Sequence, residues 1–262
     1  ICAAAYPTAG YGSSRLDDAR RHFYNGRYEA AAELTLAPCS SGADVAAACE
    51  VRTAALLFQI KHALGDAADK DRAWKSCPGC PELLSAFRAS LARGQAAARA
   101  RLHAQPEDEA TLFLLGRLDL NHVWLHLGIL GRKTGWREYW EARRALDRVL
   151  ERNPGHVRAR VARAWIDYIV ATKMPRGTRW LLGGGNRTRG LAAVREAAST
   201  DAAFFIRAEA SFALWDMQVR ERNLIEALAT ARQLASDFPD NQELHRFIAA
   251  HDRSVADAAP RR

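Results

Sequence analysis

AEASFALWDMQVRERNLIEALATARQLASDFPDN, residues 208–241, decides the fold. Apolar side chains recur at steps of three and four, as in Phe212, Trp215 and Val219, and no period-two alternation is sustained. That periodicity predicts two amphipathic helices. Phe238-Pro239-Asp240-Asn241 closes the second, because proline removes a donor and pushes the residue before it away from helical geometry. Small residues at Ala227, Ala231 and Ala235 line one face of the second helix, where short side chains let two helices approach closely.

The stretch is 34 residues long, and its internal steps recur upstream. Trp215 to Ala227 and Ala227 to Pro239 are each 12 residues, and so is Ala142 to Pro154, with Leu146 and Leu150 between. Pro106 to Gly116 and Pro154 to Ala164 are each 10, the step a 34-residue unit requires from a closing proline to the next small position. Asn25-Gly26-Arg27-Tyr28-Glu29-Ala30-Ala31 has the form of a turn entering a second helix. In these residues the chain resembles the tetratricopeptide repeat (TPR) family. The resemblance implies an all-α solenoid of antiparallel helix pairs that presents a surface to protein partners.

The repeat is broken in two places. Gly116 to Ala142 and Ala164 to Gly190 are each 26 residues where 12 is expected, so two consecutive units each carry a 14-residue insertion between their paired helices. The first contains Gly131-Arg132-Lys133-Thr134-Gly135-Trp136, and the second runs Lys173-Met174-Pro175-Arg176-Gly177-Thr178-Arg179-Trp180-Leu181-Leu182-Gly183-Gly184-Gly185-Asn186. Both join glycine, cations and large apolar side chains. Arg132, Lys133, Trp136, Lys173, Arg176, Arg179 and Trp180 are therefore the expected ligand- or partner-binding residues, with guanidinium forks on an anion and indole rings on an apolar part. In a repeat array the two insertions would emerge on one edge and build a shared feature. The alternative is that Trp136, Trp180, Leu181 and Leu182 fold back onto the helices.

Composition agrees with a helical, globular chain. Of 262 residues, 48% are apolar and 52 are alanine, and no run approaches a membrane span. Helices are expected near 15–24, 27–37, 44–64, 81–104, 108–128, 136–152, 156–172, 187–199, 202–221, 223–237 and 241–251. Residues 254–262 are read as a flexible tail. The divisions expected are a divergent N-terminal helical part over 6–105 and repeats over 106–253.

The net charge is +8, but arginines are interleaved with acids, as in Arg143-Arg144-Ala145-Leu146-Asp147-Arg148. That pattern reads as solvated helix faces and argues against nucleic acid as a partner. Ala3-Ala4-Ala5 before Tyr6-Pro7 has the small-x-small form of a signal-peptide cleavage site, so residues 1–5 are read as the end of a signal peptide and the protein as periplasmic or secreted. Cys2 after Ile1 suits lipidation poorly.

Beyond that site, Cys39, Cys49, Cys77 and Cys80 allow three pairings. The local one, Cys39 with Cys49 and Cys77 with Cys80, suits an oxidising compartment. Zinc would ask for other spacings, no thioredoxin-like strand precedes Cys77-Pro78-Gly79-Cys80, and Pro81 in place of His excludes haem attachment there. His122 and His126 are four apart but lack the Glu of a zinc-protease motif and a third ligand. There is no Gly-x-Ser-x-Gly, no phosphate loop and no triad order, so no catalytic residue, metal or cofactor is assigned.

The expected function is a non-enzymatic, exported TPR-type scaffold in the cell envelope, with a protein partner or an anionic amphipathic small molecule bound at the insertions. Through its helical units and Trp180-Leu181-Leu182-Gly183-Gly184-Gly185 the chain also resembles the T-component of periplasmic TRAP transporters. That second resemblance implies an accessory protein of a solute or lipophilic-ligand transport system, working with a substrate-binding protein.

Overall fold

In the long helices described, helix formation follows the three-four spacing of apolar residues. The computed structural model describes residues 10–41, 44–65, 67–132, 134–174 and 176–258, except for the side chains of 10–14, 176, 178 and 253–258. The signal-peptide reading of 1–5, Lys133 and residues 259–262 lie outside them. In chain order the α-helices are α1 (Gly10–Tyr24), α2 (Tyr28–Leu34), α3 (Leu36–Ser41), α4 (Val45–Leu64), α5 (Lys70–Lys75), α6 (Cys80–Ala104), α7 (Glu109–Val123), α8 (Trp136–Arg152), α9 (Val157–Lys173), α10 (Arg187–Ala198), α11 (Phe204–Arg220), α12 (Leu224–Asp237) and α13 (Gln242–Ala258). A π-helical segment, Trp124–Ile129, continues α7, and a 3-10 segment, Arg176–Leu182, lies between α9 and α10. Among the described residues there is no strand. No described helix is long and apolar enough to cross a membrane.

Several features differ from the sequence expectation. The one helix expected over 27–37 is two, α2 and α3, parted at Thr35 and running on to Ser41, and the 3-10 segment Arg176–Leu182 stands where no element is expected. Six-residue α5, too short for periodicity to register, is started by Asp69, whose carboxylate accepts the Arg72 N–H at 2.9 Å. The single helix expected over 108–128 widens into the π-helical segment after Val123. Residues 254–258, read as the start of a loose tail, continue α13 to Ala258; alanine at 256 and 258 favours helix where no apolar pattern is present.

The chain forms two compact units. Among the described residues the first comprises those of 10–23 and 27–142, the second those of 24–26 and 143–258, so the boundary falls inside α8. This division by compactness does not coincide with the pattern boundary at 105/106.

In the first unit, α4, α6 and α7 each pack on the other two, and α2 and α3 pack on α4. Their core holds Leu56, Leu57 and Ile60 of α4, Phe87 and Leu91 of α6, and Leu118 of α7. Close approach depends on Gly94, where a Cβ would stand 2.7 Å from the Cys49 Cβ and 3.0 Å from the Leu118 methyls. The cysteines pair locally, with S–S distances of 2.01 Å for Cys39–Cys49 and 2.07 Å for Cys77–Cys80. The first ties α3 to α4, and the second holds the residues that start α6.

In the second unit, α9, α10 and α11 again each pack on the other two, and α12 packs on α11 and α13. Gly190 of α10 meets α9 so closely that a Cβ would lie 2.9 Å from the Ala164 carbonyl oxygen. These are the two small positions singled out by spacing. Ala227 and Ala231 are fully buried against Trp215 and Phe238, in the cluster that joins α11, α12 and α13.

Candidate functional site

The second insertion leaves α9 at Lys173 and returns at Arg187, and its middle is a 3-10 turn. With three residues per turn, side chains three apart share a side. Arg179 and Leu182 form the inner row. The Arg179 Nε donates to the Met174 carbonyl at 3.1 Å, and Leu182 is buried. Trp180 and Leu181 are left pointing outward, 72% and 53% exposed.

This exposure is braced on both sides. The Arg143 guanidinium of α8 donates to the carbonyls of Leu182 at 2.9 Å and Gly183 at 3.0 Å. Gly183 and Gly184 follow with φ of +75° and +73°, a left-handed bend that favours glycine. Gly185 then lies flat on α9, where a Cβ would meet the Asp167 carbonyl oxygen at 2.7 Å and the Ala171 nitrogen at 2.8 Å. Asn186 caps α10 by accepting the Arg189 N–H at 2.8 Å. The Trp-Leu tip stands on fixed backbone.

The turn between α11 and α12 lies at the same end of the unit. Glu221 accepts from the Tyr168 hydroxyl of α9 at 2.6 Å and forms an ion pair with Arg187, the first residue of α10. Just beyond this turn Ile225 is 69% exposed, and Arg222 occupies a left-handed conformation at φ 58°.

The first insertion is built differently. Much of its length is spent on extending α7 through the π-helical segment, which buries Leu125, His126 and Ile129. Arg132 is exposed, its backbone N–H donates to the His126 carbonyl at 2.8 Å, and its guanidinium lies 5.7 Å from the Trp74 ring centroid. Trp136 is 41% exposed and meets Tyr139 edge-on at 6.4 Å. Gly135, at φ +93°, passes within 3.3 Å of the His122 ring, measured to the position of an added Cβ.

Beneath it, Asp119, His122 and His126 follow one another at steps of three and four along the helix. Asp119 is fully buried; its Oδ1 accepts from the Gln95 amide at 2.6 Å, and its Oδ2 has no hydrogen-bond partner among the described residues. Burial, reinforced by the Glu141 carboxylate and opposed by the Gln95 hydrogen bond and Arg99, pushes the Asp119 carboxyl up to about 7. The His122 and His126 rings lie 4.5 Å apart. Burial, with the neighbouring His122 and Arg88, lowers His126 to about 4, and burial likewise lowers His122. Both imidazoles are therefore neutral at pH 7. Among the described residues no cluster of three or more His, Cys, Asp or Glu is placed to hold a metal ion.

Of the residues expected to bind, Lys173, Arg179 and Trp180 share one connection of the second unit. The backbone of Arg176 opens its 3-10 turn. Arg132 and Trp136 belong to the first unit, with Lys133 outside the described residues. Of the four apolar side chains that could have folded back, only Leu182 is buried. Sequence reasoning missed Arg143 as the brace, Ile225 as an exposed neighbour, and Asp119. Only the last carried a signal, as a lone acid within Leu118-Asp119-Leu120. No family model, curated protein or solved structure matches this chain.

Proposed function

We propose that this protein is an exported, non-enzymatic binding protein of the cell envelope, built on TPR-like helix pairs. It engages an acidic or anionic amphipathic partner through its insertions. The observation that carries this reading is the braced exposure of Trp180 and Leu181 beside Lys173 and Arg179, since large apolar side chains held out on fixed backbone mark contact surfaces. Arg132 and Trp136 offer a second pairing of cation and indole in the first unit.

The repeat reading is supported by the packing of α9 on both α10 and α11, followed by α11 on α12 and α12 on α13, and by small residues at the contacts Ala164/Gly190 and Ala227/Trp215. Export is supported by two cysteine pairs at disulfide distance, since such pairs persist in oxidising compartments.

The test uses the purified chain as bait in membrane-free envelope extract. Wild-type protein is expected to capture a defined partner, and Arg176→Ala with Arg179→Ala, or Trp180→Ala with Leu181→Ala, to lose it, the second at unchanged melting temperature because Trp180 and Leu181 are exposed whereas Arg179 also holds the Met174 carbonyl. Equal capture by both double variants refutes the assignment.

A further inference from the structure

All three large apolar side chains exposed in the described part of the second unit gather at one end of it. Trp180 and Leu181 sit in the α9–α10 connection and Ile225 follows the α11–α12 turn, and the pairings of Glu221 with Tyr168 and Arg187 hold these two connections together. The charge at this end is one-sided. From residue 168 to 195 the sequence contains Lys173, Arg176, Arg179, Arg187, Arg189 and Arg195 and not one Asp or Glu. The nearby acids are already matched: Glu221 to Arg187, Glu226 to Arg195 at 2.5 Å, and Asp216 to Arg220 at 3.0 Å. Lys173, Arg189 and Arg222 are exposed, and among the described residues none of them has an ion-pair partner.

We propose that this end of the second unit docks on an anionic phospholipid bilayer, with Trp180, Leu181 and Ile225 entering the headgroup region and Lys173, Arg189 and Arg222 lying against lipid phosphates. The inference rests on the reading of the second insertion as a contact surface and names its partner. A bilayer fits the shape of the feature. A protein partner asks for about 800 Å² of complementary surface on each side, with its aromatic anchors seated in pockets. A lipid interface asks only for protruding apolar side chains, an indole suited to the boundary between water and hydrocarbon, and cations to match its charge. The bracing by Arg143 and Gly185 has a purpose in this setting, because it prevents the tip from collapsing onto α9 before contact. Neighbouring cations on the tip's own unit, left without acids, supply the long-range attraction.

Protein-free vesicles test the inference separately from capture. The purified chain is sedimented with vesicles of phosphatidylcholine containing one quarter phosphatidylglycerol, and with vesicles of phosphatidylcholine alone. Binding is expected to the anionic vesicles at about 0.1 M salt, with loss at about 1 M, where the Debye length has fallen from about 10 Å to about 3 Å. Trp180→Ala with Leu181→Ala is expected to weaken partitioning at least ten-fold. Lys173→Ala, Arg189→Ala and Arg222→Ala are each expected to weaken it by about five-fold. Leu36→Ala, at an exposed leucine of the first unit, is expected to leave it unchanged. Melting temperatures of all variants are recorded, so that a folding defect is recognised, and Trp180→Ser serves in place of any variant that melts early. No sedimentation of wild-type protein with anionic vesicles overturns the inference, as does equal binding by the tip variants. If wild-type protein ignores vesicles yet loses an extract partner when Trp180 and Leu181 are removed, the contact surface stands and the lipid assignment fails.

Discussion

Replacing Asp119 by asparagine turns a buried carboxylate into a neutral side chain of the same shape, and the consequence is a pH-dependent gain in stability. Asp119 is fully buried with one oxygen bound to Gln95 and the other without a partner among the described residues, and its carboxyl is raised to about 7 from the ordinary value of 3.8. Between those limits the folded chain holds a proton that the unfolded chain has released. The stability contributed by the neutral acid is therefore fully present below pH 3.8 and is lost as pH rises through 7. The gap between the two values corresponds to about 4 kcal/mol at pH 8.

The asparagine variant carries no such dependence. Its amide nitrogen inherits the site of the unpartnered oxygen, which costs about 1–3 kcal/mol at every pH. The net expectation is a variant no more stable than wild type at pH 4, and about 1–3 kcal/mol more stable at pH 8. His126, lowered to about 4, gives the opposite slope, with stability present above its ordinary value of 6.5 and lost as pH falls through 4. It is common to both proteins and cancels in the comparison. Urea unfolding followed by circular dichroism at pH 4, 5, 6, 7 and 8 measures the difference. A difference that stays constant across that range would refute the burial argument, whatever its sign.

The remaining predictions concern packing, cysteines and the exposed tip. Gly190→Ala places a methyl 2.9 Å from the Ala164 carbonyl oxygen and is expected to cost about 1–3 kcal/mol, whereas Gly177→Ala, with nothing within 4 Å, serves as control. Equal melting temperatures would show that α9 and α10 do not meet there. Ala227→Trp on the buried face of α12 is expected to destabilise by a similar amount, about 1–3 kcal/mol, and Ala229→Trp on its exposed face to do little. Non-reducing peptide mapping of exported protein should find Cys39 joined to Cys49 and Cys77 to Cys80, and separating the first pair by Cys39→Ser with Cys49→Ser should cost about 3 kcal/mol. Trp180→Ala should change stability by less than about 0.5 kcal/mol; a larger loss would mean that the ring is packed.

The helical architecture was legible because each long helix buries a continuous stripe. Val45–Leu64 and Trp136–Arg152 answer to expected spans of 44–64 and 136–152, and the small residues found by spacing, Ala164 and Gly190, meet at a helix contact. Periodicity fails where an element is brief or changes its pitch. Lys70–Lys75 offers less than two turns. The widening at Trp124–Ile129 leaves the apolar residues in place and alters only which carbonyl each N–H reaches, so hydrophobic spacing cannot register it.

At the candidate site, composition was legible and the choice between inward and outward was not. Trp180, Leu181 and Leu182 read alike as apolar, yet two are exposed and one is buried. An α-helical continuation of α9 would turn successive side chains by about 100°, so Arg179, Leu182 and Gly183 would share a face and the tip would follow the stripe of the helix. The 3-10 pitch instead aligns Arg179 with Leu182 and sends the intervening pair out together. The end of that turn is held by an arginine 39 and 40 residues earlier in the chain, which donates to the carbonyls of Leu182 and Gly183, and no local window contains Arg143. Asp119 behaves likewise: its hydrogen-bond donor is Gln95, 24 residues away on α6, while its own neighbours spell only an apolar helix with one acid in it. Where a side chain's fate depends on a partner from another helix, the residue types announce that something is unusual, and only the packing says what it is.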